Sequence, residues 1–239
     1  MIGVNFYYRV CPMLLFTSLD EVPLLEKSCG LTLGIFDGVH LGHQALIKHL
    51  RSKLPKDSLL AVFTFSNHPS QLFTPKMPVP LICSPLQKVK HLQECGVDLV
   101  ILTPFTQAFA QIPFDLFLKE LKSKLNMTHL VLGTGATFGK GKGGDEVNVR
   151  RVAKELNIEV DYVDKTRVGN LPLSSGYIRT LIQQGCLKEV EACLGHPYFL
   201  TGHLIEKEGR KFFSFPGICL PPRGTYLIQI SKEGFKTEL

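Results

Sequence analysis

The segment Gly34-Ile35-Phe36-Asp37-Gly38-Val39-His40-Leu41-Gly42-His43 sets two imidazoles three residues apart with a glycine between them, directly before the amphipathic run Ala45-Leu46-Ile47-Lys48-His49-Leu50. Residues spaced i and i+3 share one side of a helical turn, so His40 and His43 face the same way at a helix start. A helix N-terminus offers unpaired N–H groups and a positive dipole end, and bare glycine backbone lets an anionic group approach closely. Cationic or hydrogen-bonding histidines placed there would stabilise charge on a phosphoryl group under attack. Two solvated histidines at a helix start are the plain alternative, and the flanking glycines favour phosphate chemistry.

Two further segments carry candidate ligands for phosphate. Ser174 and Ser175 stand where a helix begins, with Ile178, Leu181 and Ile182 as its buried stripe. A capping serine leaves later N–H groups free for a phosphate, and Arg179 adds a fork of donors. Lys140 and Lys142 sit among glycines in Gly139-x-Gly141-x-x-Gly144, with Asp164 twenty residues beyond the last of these. That is the form of a dinucleotide-binding fingerprint and keeps a nicotinamide-dependent oxidoreductase as a lesser reading. Its first glycine should leave the strand directly, whereas five residues separate Gly139 from Gly133. No Walker pattern G-x-x-x-x-G-K-[ST] is present.

These residues need a scaffold, and the chain supplies strand-like runs at Leu31 to Phe36, Leu59 to Phe65, Val97 to Leu102, His129 to Gly133 and Ile158 to Val163. Helical stretches separate them. Phe114, Phe117, Leu118, Leu121 and Leu125 repeat at helical spacing, as do Val149, Val152, Ala153 and Leu156. Alternation of this kind predicts an α/β fold, a doubly wound parallel sheet of five strands with right-handed crossovers. The nearly continuous Leu-Leu-Ala-Val-Phe-Thr-Phe of 59–65 fits a strand buried on both faces. Ligands of such sheets sit at the carboxyl ends of the strands, which selects segments 34–43, 66–75, 103–113, 133–146 and 164–176. After Pro197 the helical period disappears, and Tyr198 to Ile205 and Tyr226 to Ile230 read as short antiparallel strands. Residues 1–197 are therefore expected to form one domain and 198–239 a short C-terminal β segment.

Composition narrows the class. The chain has 239 residues, 44% hydrophobic and 20% charged, with 21 Gly and 15 Pro, which excludes disordered, collagenous and solenoid architectures. The apolar runs fall well short of the roughly 20 residues that a membrane-spanning helix needs, and the first residues lack the pattern of a signal peptide. A cytoplasmic protein with no membrane partner is expected. The net charge of +6 is spread along the chain, which suits a small anionic ligand and not nucleic acid. Seven cysteines without a C-x-x-C pair predict buried free thiols; Cys186, Cys193 and His196 lack the tight spacing of a zinc site. Oligomeric state is not encoded in any of these features.

The Gly-x-Phe-Asp-Gly-x-His-x-Gly-His run closely resembles the signature of bacterial FAD synthetases, within the HxGH nucleotidyltransferase superfamily. Phe63-Thr64-Phe65-Ser66-Asn67-His68-Pro69 resembles that family's flavin-side Phe-x-Pro-His-Pro loop, and Phe138-Gly139-Lys140-Gly141-Lys142-Gly143-Gly144-Asp145 its Phe-Gly-x-Gly-x-x-Gly-Asp loop. Ser174-Ser175-Gly176-Tyr177-Ile178-Arg179 resembles Ser-Ser-Thr-x-Ile-Arg, and Leu194-Gly195-His196-Pro197-Tyr198 the lead into a second domain. The resemblance covers residues 15 to 230 and implies a Rossmann-like nucleotidyltransferase that moves AMP from ATP to the phosphate of FMN. On that basis His40, His43 and Arg179 are the catalytic residues. Gly34, Phe36, Asp37, Gly38, Gly42, Ser174 and Ser175 are assigned to ATP, and Asn67, His68, Pro69, Phe138 and Gly139 to the flavin. Mg²⁺ would arrive on ATP, with no ligating residue assigned.

The departures from the family pattern are specific. Ile35 stands for Asn, Asn67 for Pro and Gly176 for Thr, and Gly135 and Ala136 replace a polar and an aromatic residue. A binding module without turnover is the non-enzymatic alternative. The family's second domain is a riboflavin kinase barrel entered through Gly-Arg-x-x-Gly-Phe-Pro-Thr-Ala-Asn. Here Gly217 stands for the Thr and Cys219 for the Asn that would hold magnesium, and hard cations prefer oxygen. Residues 198–239 are thus expected to be a kinase remnant packed on the transferase domain, without kinase activity.

Overall fold

In the computed structural model, which describes residues 13–169, 171–207 and 209–226, strands and helices alternate as the sequence pattern requires. The strands β1 (Leu14–Phe16), β2 (Cys29–Leu33), β3 (Leu59–Phe65), β4 (Leu99–Thr103), β5 (Met127–Gly133) and β6 (Glu159–Val163) form one sheet in the order β1-β4-β3-β2-β5-β6. All five pairings are parallel. The sheet therefore has six strands, not five. The added edge strand β1 aligns Leu14 with Leu99 and is three half-exposed residues long, too short to show a period.

Helices α1 (Leu41–Lys53) and α3 (Pro85–Glu94) cover one face, and α5 (Phe114–Leu125) and α6 (Glu146–Glu155) the other; the single turns α2 (Ser70–Phe73) and α4 (Gln107–Ala110) follow β3 and β4. Strand β3 shows how both faces are filled. Leu60 and Val62 point to a cluster with Ile47, Leu50 and Leu92, while Ala61 and Phe63 point to one with Phe117, Leu118, Leu121 and Val149. Side chains alternate across a strand, so a strand buried on both sides reads as one unbroken apolar run. Local chemistry sets the helix starts. Ser84 and Gln87 form a capping box with Pro85 in the first turn of α3, and Asp145 caps α6 by accepting from Asn148 N.

Strand order reverses between β2 and β5. From β2 the chain proceeds outward through β3 and β4, then crosses back to place β5 and β6 on the other side. The crevice outside the carboxyl ends of β2 and β5 is therefore the position where a doubly wound sheet binds ligands. Strand β2 stops at Leu33, three residues before the expected Phe36, because Phe36 adopts a left-handed backbone (φ 50°) that no strand can continue.

After β6, a small hairpin of β7 (Arg167–Val168) and β8 (Leu171–Pro172) leads into α7 (Ser175–Gln184) and α8 (Leu187–Leu194). The C-terminal segment contains the antiparallel pair β9 (His203–Lys207) and β10 (Arg210–Ser214). Its first strand starts at His203, five residues later than expected; of the expected strand at 226–230, residues 227–230 lie outside the described residues, as does Cys11. Beyond the hairpin the chain returns to the main body. Leu81 N donates to Gly217 O at 2.8 Å and Cys219 N to Leu81 O at 2.7 Å. The Cys219 side chain is buried with Ile82, Ile178, Ile182 and Leu194.

Candidate active site

The chain leaves β2 through Gly34, whose N–H donates to Phe63 O, and turns at Phe36 into a short 3-10 turn, Asp37–Val39, in which Gly38 has φ 78°. A Cβ at Gly38 would stand 2.9 Å from the Ile82 side chain, so this tight turn needs glycine on both counts. His40 follows as the N-cap of α1, its Nδ1 accepting from His43 N at 3.4 Å. The two imidazoles stack, with ring centroids 3.7 Å apart and planes within 16°, and the Phe36 ring lies 4.8 Å from His43.

Burial decides the charge state of this pair. It brings the His40 pKa down to about 4, and it carries His43 well below the usual histidine range, helped by the charges of His40 and Lys88. The expected alternatives were cationic or hydrogen-bonding histidines, and the environment selects neutral donors and acceptors. His43 Nδ1 is buried without a hydrogen-bond partner, a costly arrangement unless a ligand or water completes it. Gly42 makes room for the stack, since a Cβ there would approach the His40 ring to 3.1 Å.

Asp37 is fully buried, and its carboxylate accepts from Ile82 N at 2.9 Å, Cys83 N at 3.4 Å and Arg179 Nη2 at 2.6 Å. Arg179 Nε donates to Pro80 O at 2.7 Å. Asp37, assigned above to ATP, thus has its carboxylate turned to Arg179 and the backbone of Ile82 and Cys83, and Arg179, assigned above as catalytic, has Nε and Nη2 engaged in holding the turn. Ser174 caps α7 by accepting from Tyr177 N, and Ser175 Oγ donates to Asp37 O at 3.0 Å, so α7 is fastened to the histidine turn from the side.

On the neighbouring strand, Asn67 is pinned at two points, Nδ2 to Phe105 O at 3.2 Å and Oδ1 from Phe105 N at 2.7 Å. Its amide therefore joins the loop after β3 to the loop after β4. His68 Nδ1 accepts from Ser70 N at 3.1 Å, and Pro69 begins α2. Burial lowers the His68 pKa, and the charge of Arg179 lowers it further. Phe65, Phe105, Phe109 and Phe73 form a continuous edge-to-face cluster here, with Phe73 largely exposed.

Phe138 joins this cluster through Phe117, whose ring centroid lies 5.3 Å from that of Phe109. The Phe138 ring packs on Phe114 and Phe117, and a Cβ at Gly139 would stand 2.6 Å from the Phe114 backbone. Phe138 also pairs its backbone with Gly144, closing the glycine loop on itself against the start of α5. The G-x-G-x-x-G run thus serves loop closure and helix packing, and Asp145 already occupies the N-terminus of α6. The dinucleotide fingerprint is not realised.

An open cavity of about 400 Å³ lies at the carboxyl ends of β5 and β6, lined by Thr134, Asp164, Lys165, Arg167 and Pro172. Asp164 accepts from Thr134 Oγ1 at 2.8 Å. Thr166, in the same loop, is the neighbour that a Cβ on Gly42 would meet at 3.9 Å, so the cavity borders the histidine turn.

Several contributors were not legible in the sequence. Lys88 is 1% exposed, with its ammonium on Ile35 O and Phe65 O. Gln44 Nε2 donates to Val39 O and Leu194 O, and His196 Nε2 lies 3.1 Å from Gly38 O. The His196 Nδ1 also lies 2.9 Å from Pro197 O. Spacing carries no trace of such contacts; polar residues inside an otherwise apolar helix stripe would have been the signal.

Known proteins match the chain on the same segments. The profile of the FAD synthetase family aligns with residues 23–177. An FAD synthetase of Listeria monocytogenes is 32% identical over 211 residues, 84% of this chain and 81% of that protein. A bifunctional riboflavin kinase/FMN adenylyltransferase of Escherichia coli is 30% identical over 230 residues, 92% of this chain and 72% of that protein. A Streptococcus pneumoniae crystal structure titled as a macrolide-efflux protein superposes with a TM-score of 0.77 at 24% identity, covering 89% of this chain and 72% of its own, a likeness of fold. Since the matched span runs from before β2 into the first turn of α7 and so encloses the histidine turn and the loops after β3, β4, β5 and β6, the chain belongs to the FAD synthetase family.

Proposed function

We propose that the protein is an FMN adenylyltransferase, making FAD and pyrophosphate from FMN and ATP. The observation that carries this reading is the stacked, neutral His40–His43 pair at the N-terminus of α1, with one unpaired buried nitrogen, between a cavity on the β5/β6 side and an aromatic cluster on the β3/β4 side. A phosphate oxygen of FMN attacks the α-phosphorus of ATP in line. The new P–O bond forms as the bond to the bridging oxygen breaks, and pyrophosphate leaves with the electron pair. Such a transfer needs positioning and charge stabilisation and no covalent enzyme intermediate.

In this reading His40 and His43 donate hydrogen bonds to the phosphate oxygens, Gly42 leaves the N-terminus of α1 open to them, and Gly34, Phe36 and Gly38 shape the turn that presents the pair. Asp37, Arg179 and Ser175 hold the turn in place, with Ser174 as the cap of α7. ATP takes the cavity near Thr134 and Asp164, and the flavin ring takes the side of His68, Pro69 and the phenylalanine cluster, with Asn67, Phe138 and Gly139 supporting that wall. The Asp37 carboxylate is fully used and imidazoles are poor partners for a hard cation, so we treat magnesium as part of the ATP substrate. Free thiols at Cys29, Cys83, Cys193 and Cys219 suit a reducing compartment, and we place the protein in the cytoplasm. No helix among the described residues is long and apolar enough to cross a membrane.

We assign residues 1–197 to the transferase domain and 198–239 to a kinase remnant. Gly217 offers its carbonyl to Leu81 N, and Cys219 is buried against α7, so neither is turned toward a nucleotide of its own. The test is incubation with FMN, ATP and Mg²⁺, followed by chromatography for FAD and an assay for pyrophosphate. Equal amounts of both support the reaction. Tightly bound FMN or ATP without product would make the protein a binding module.

A further inference from the structure

Lys88 is the buried cation that the proposed reaction leaves unexplained. It lies in α3, 1% exposed, and its Nζ donates to Phe65 O at 2.7 Å, Ile35 O at 2.8 Å and Thr64 Oγ1 at 3.5 Å. Among the described residues no carboxylate comes within ion-pair distance of it, and Asp37 is already matched by Arg179 at 2.6 Å. Burying an ammonium without a paired anion costs several kcal/mol, and burial does lower the Lys88 pKa from its usual value. An apolar residue would extend the stripe that Leu92 and Val89 lay against the sheet at less cost.

The position of the ammonium is specific. Ile35 immediately precedes Phe36, whose ring touches His43, and Phe65 lies two residues before Asn67. One side chain thus ties the end of β2, which carries the histidine turn, to the end of β3, which carries the flavin-side loop. The groups facing this region are His40, His43 and Asp37 from the turn, Cys83 from the loop before α3, His68 from the loop after β3 and Arg179 from α7. The charge of Lys88 acts on His43 and His68 in the direction that keeps both neutral. Two phosphorylated substrates bring several negative charges into the same crevice, where a fixed cation stabilises charge without having to reorganise.

We propose that Lys88 is a positioning residue for adenylyl transfer, locking the two substrate-bearing strand ends together and supplying fixed positive charge behind His43. This rests on the reaction proposed above. The competing role is a mere plug for two carbonyl oxygens, which needs N–H donors but no charge.

The test compares the parent with Lys88→Met, Lys88→Gln and Lys88→Arg, each checked for folding by circular dichroism. Kinetics of FAD formation are measured across pH, and His43 is titrated by NMR. The expected result is that Met and Gln lower kcat about 10²-fold while KM for each substrate changes only a few-fold. His43 should protonate at higher pH in both, shifting the acid limb of kcat upward, and Arg should restore part of kcat. If Met unfolds, Gln and Arg decide the matter. A Gln variant with parental kcat and an unmoved acid limb would overturn the inference alone. A parent that forms no FAD would overturn the reaction and this inference with it.

Discussion

Arg179 Nη2 lies 2.6 Å from Asp37 Oδ2 across 142 residues of sequence, joining α7 to the turn that presents the two histidines. Asp37 is fully buried, so replacing Arg179 by Met leaves an uncompensated carboxylate. That should cost about 3–5 kcal/mol, a fall in Tm on the order of 10 °C for a domain of this size. Adding Asp37→Asn should recover part of the loss, as a double-mutant cycle by thermal denaturation would show. Calorimetry of Arg179→Ala at a temperature where it stays folded should give weaker ATP binding with FMN binding nearly unchanged. The reverse pattern would refute the placement of this pair on the nucleotide side.

The histidine pair should dominate turnover. His43→Ala removes a donor at the transferring phosphoryl group and should lower kcat about 10²- to 10³-fold. His40→Ala also removes the cap of α1 and should lower Tm besides kcat. A His43→Ala protein making FAD at the parental rate would sink the assignment.

Stability should fall in acid in a defined window. His40 is held neutral in the folded protein, with a pKa of about 4 against 6.5 when exposed. The unfolded chain therefore binds the proton first. The contribution is complete above pH 6.5, declines as pH falls toward 4 and amounts to about 3 kcal/mol in order of magnitude. Urea denaturation at pH 7, 5.5 and 4 measures it, and His40→Asn should flatten the dependence.

Two neighbouring glycines should respond differently to the same change. Gly139→Ala places a Cβ 2.6 Å from the Phe114 backbone at φ 74°, whereas Gly141→Ala, at φ 61°, meets nothing within 4 Å. The second should cost roughly 1–2 kcal/mol for the left-handed backbone alone, and the first clearly more. Equal Tm values for the two variants would contradict the packing of the glycine loop on α5.

Riboflavin with ATP and Mg²⁺ should yield neither FMN nor FAD above a control without enzyme. Detection of either product would overturn the assignment of 198–239 as a kinase remnant.

The sequence alone determined the features written in short range. Strand β3 was legible residue for residue because Leu59–Phe65 is buried on both faces, and α5 and α6 because their apolar stripes repeat at helical spacing. The His-x-Gly-His turn was legible because a helix N-terminus, glycine and paired imidazoles are local chemistry. Tertiary structure decided what those groups are paired with. Asp37 is held by Arg179 and Asn67 by Phe105, partners that only the tertiary fold brings near. The neutrality of His40 and His43 follows from burial, which no spacing records. Edge strand β1 exists because β4 offers it a partner, and Lys88 is buried because α3 crosses the ends of β2 and β3. Periodicity reports which face of an element is apolar; a polar side chain's partner is fixed by contacts between elements distant in sequence, and those are settled only when the chain is folded.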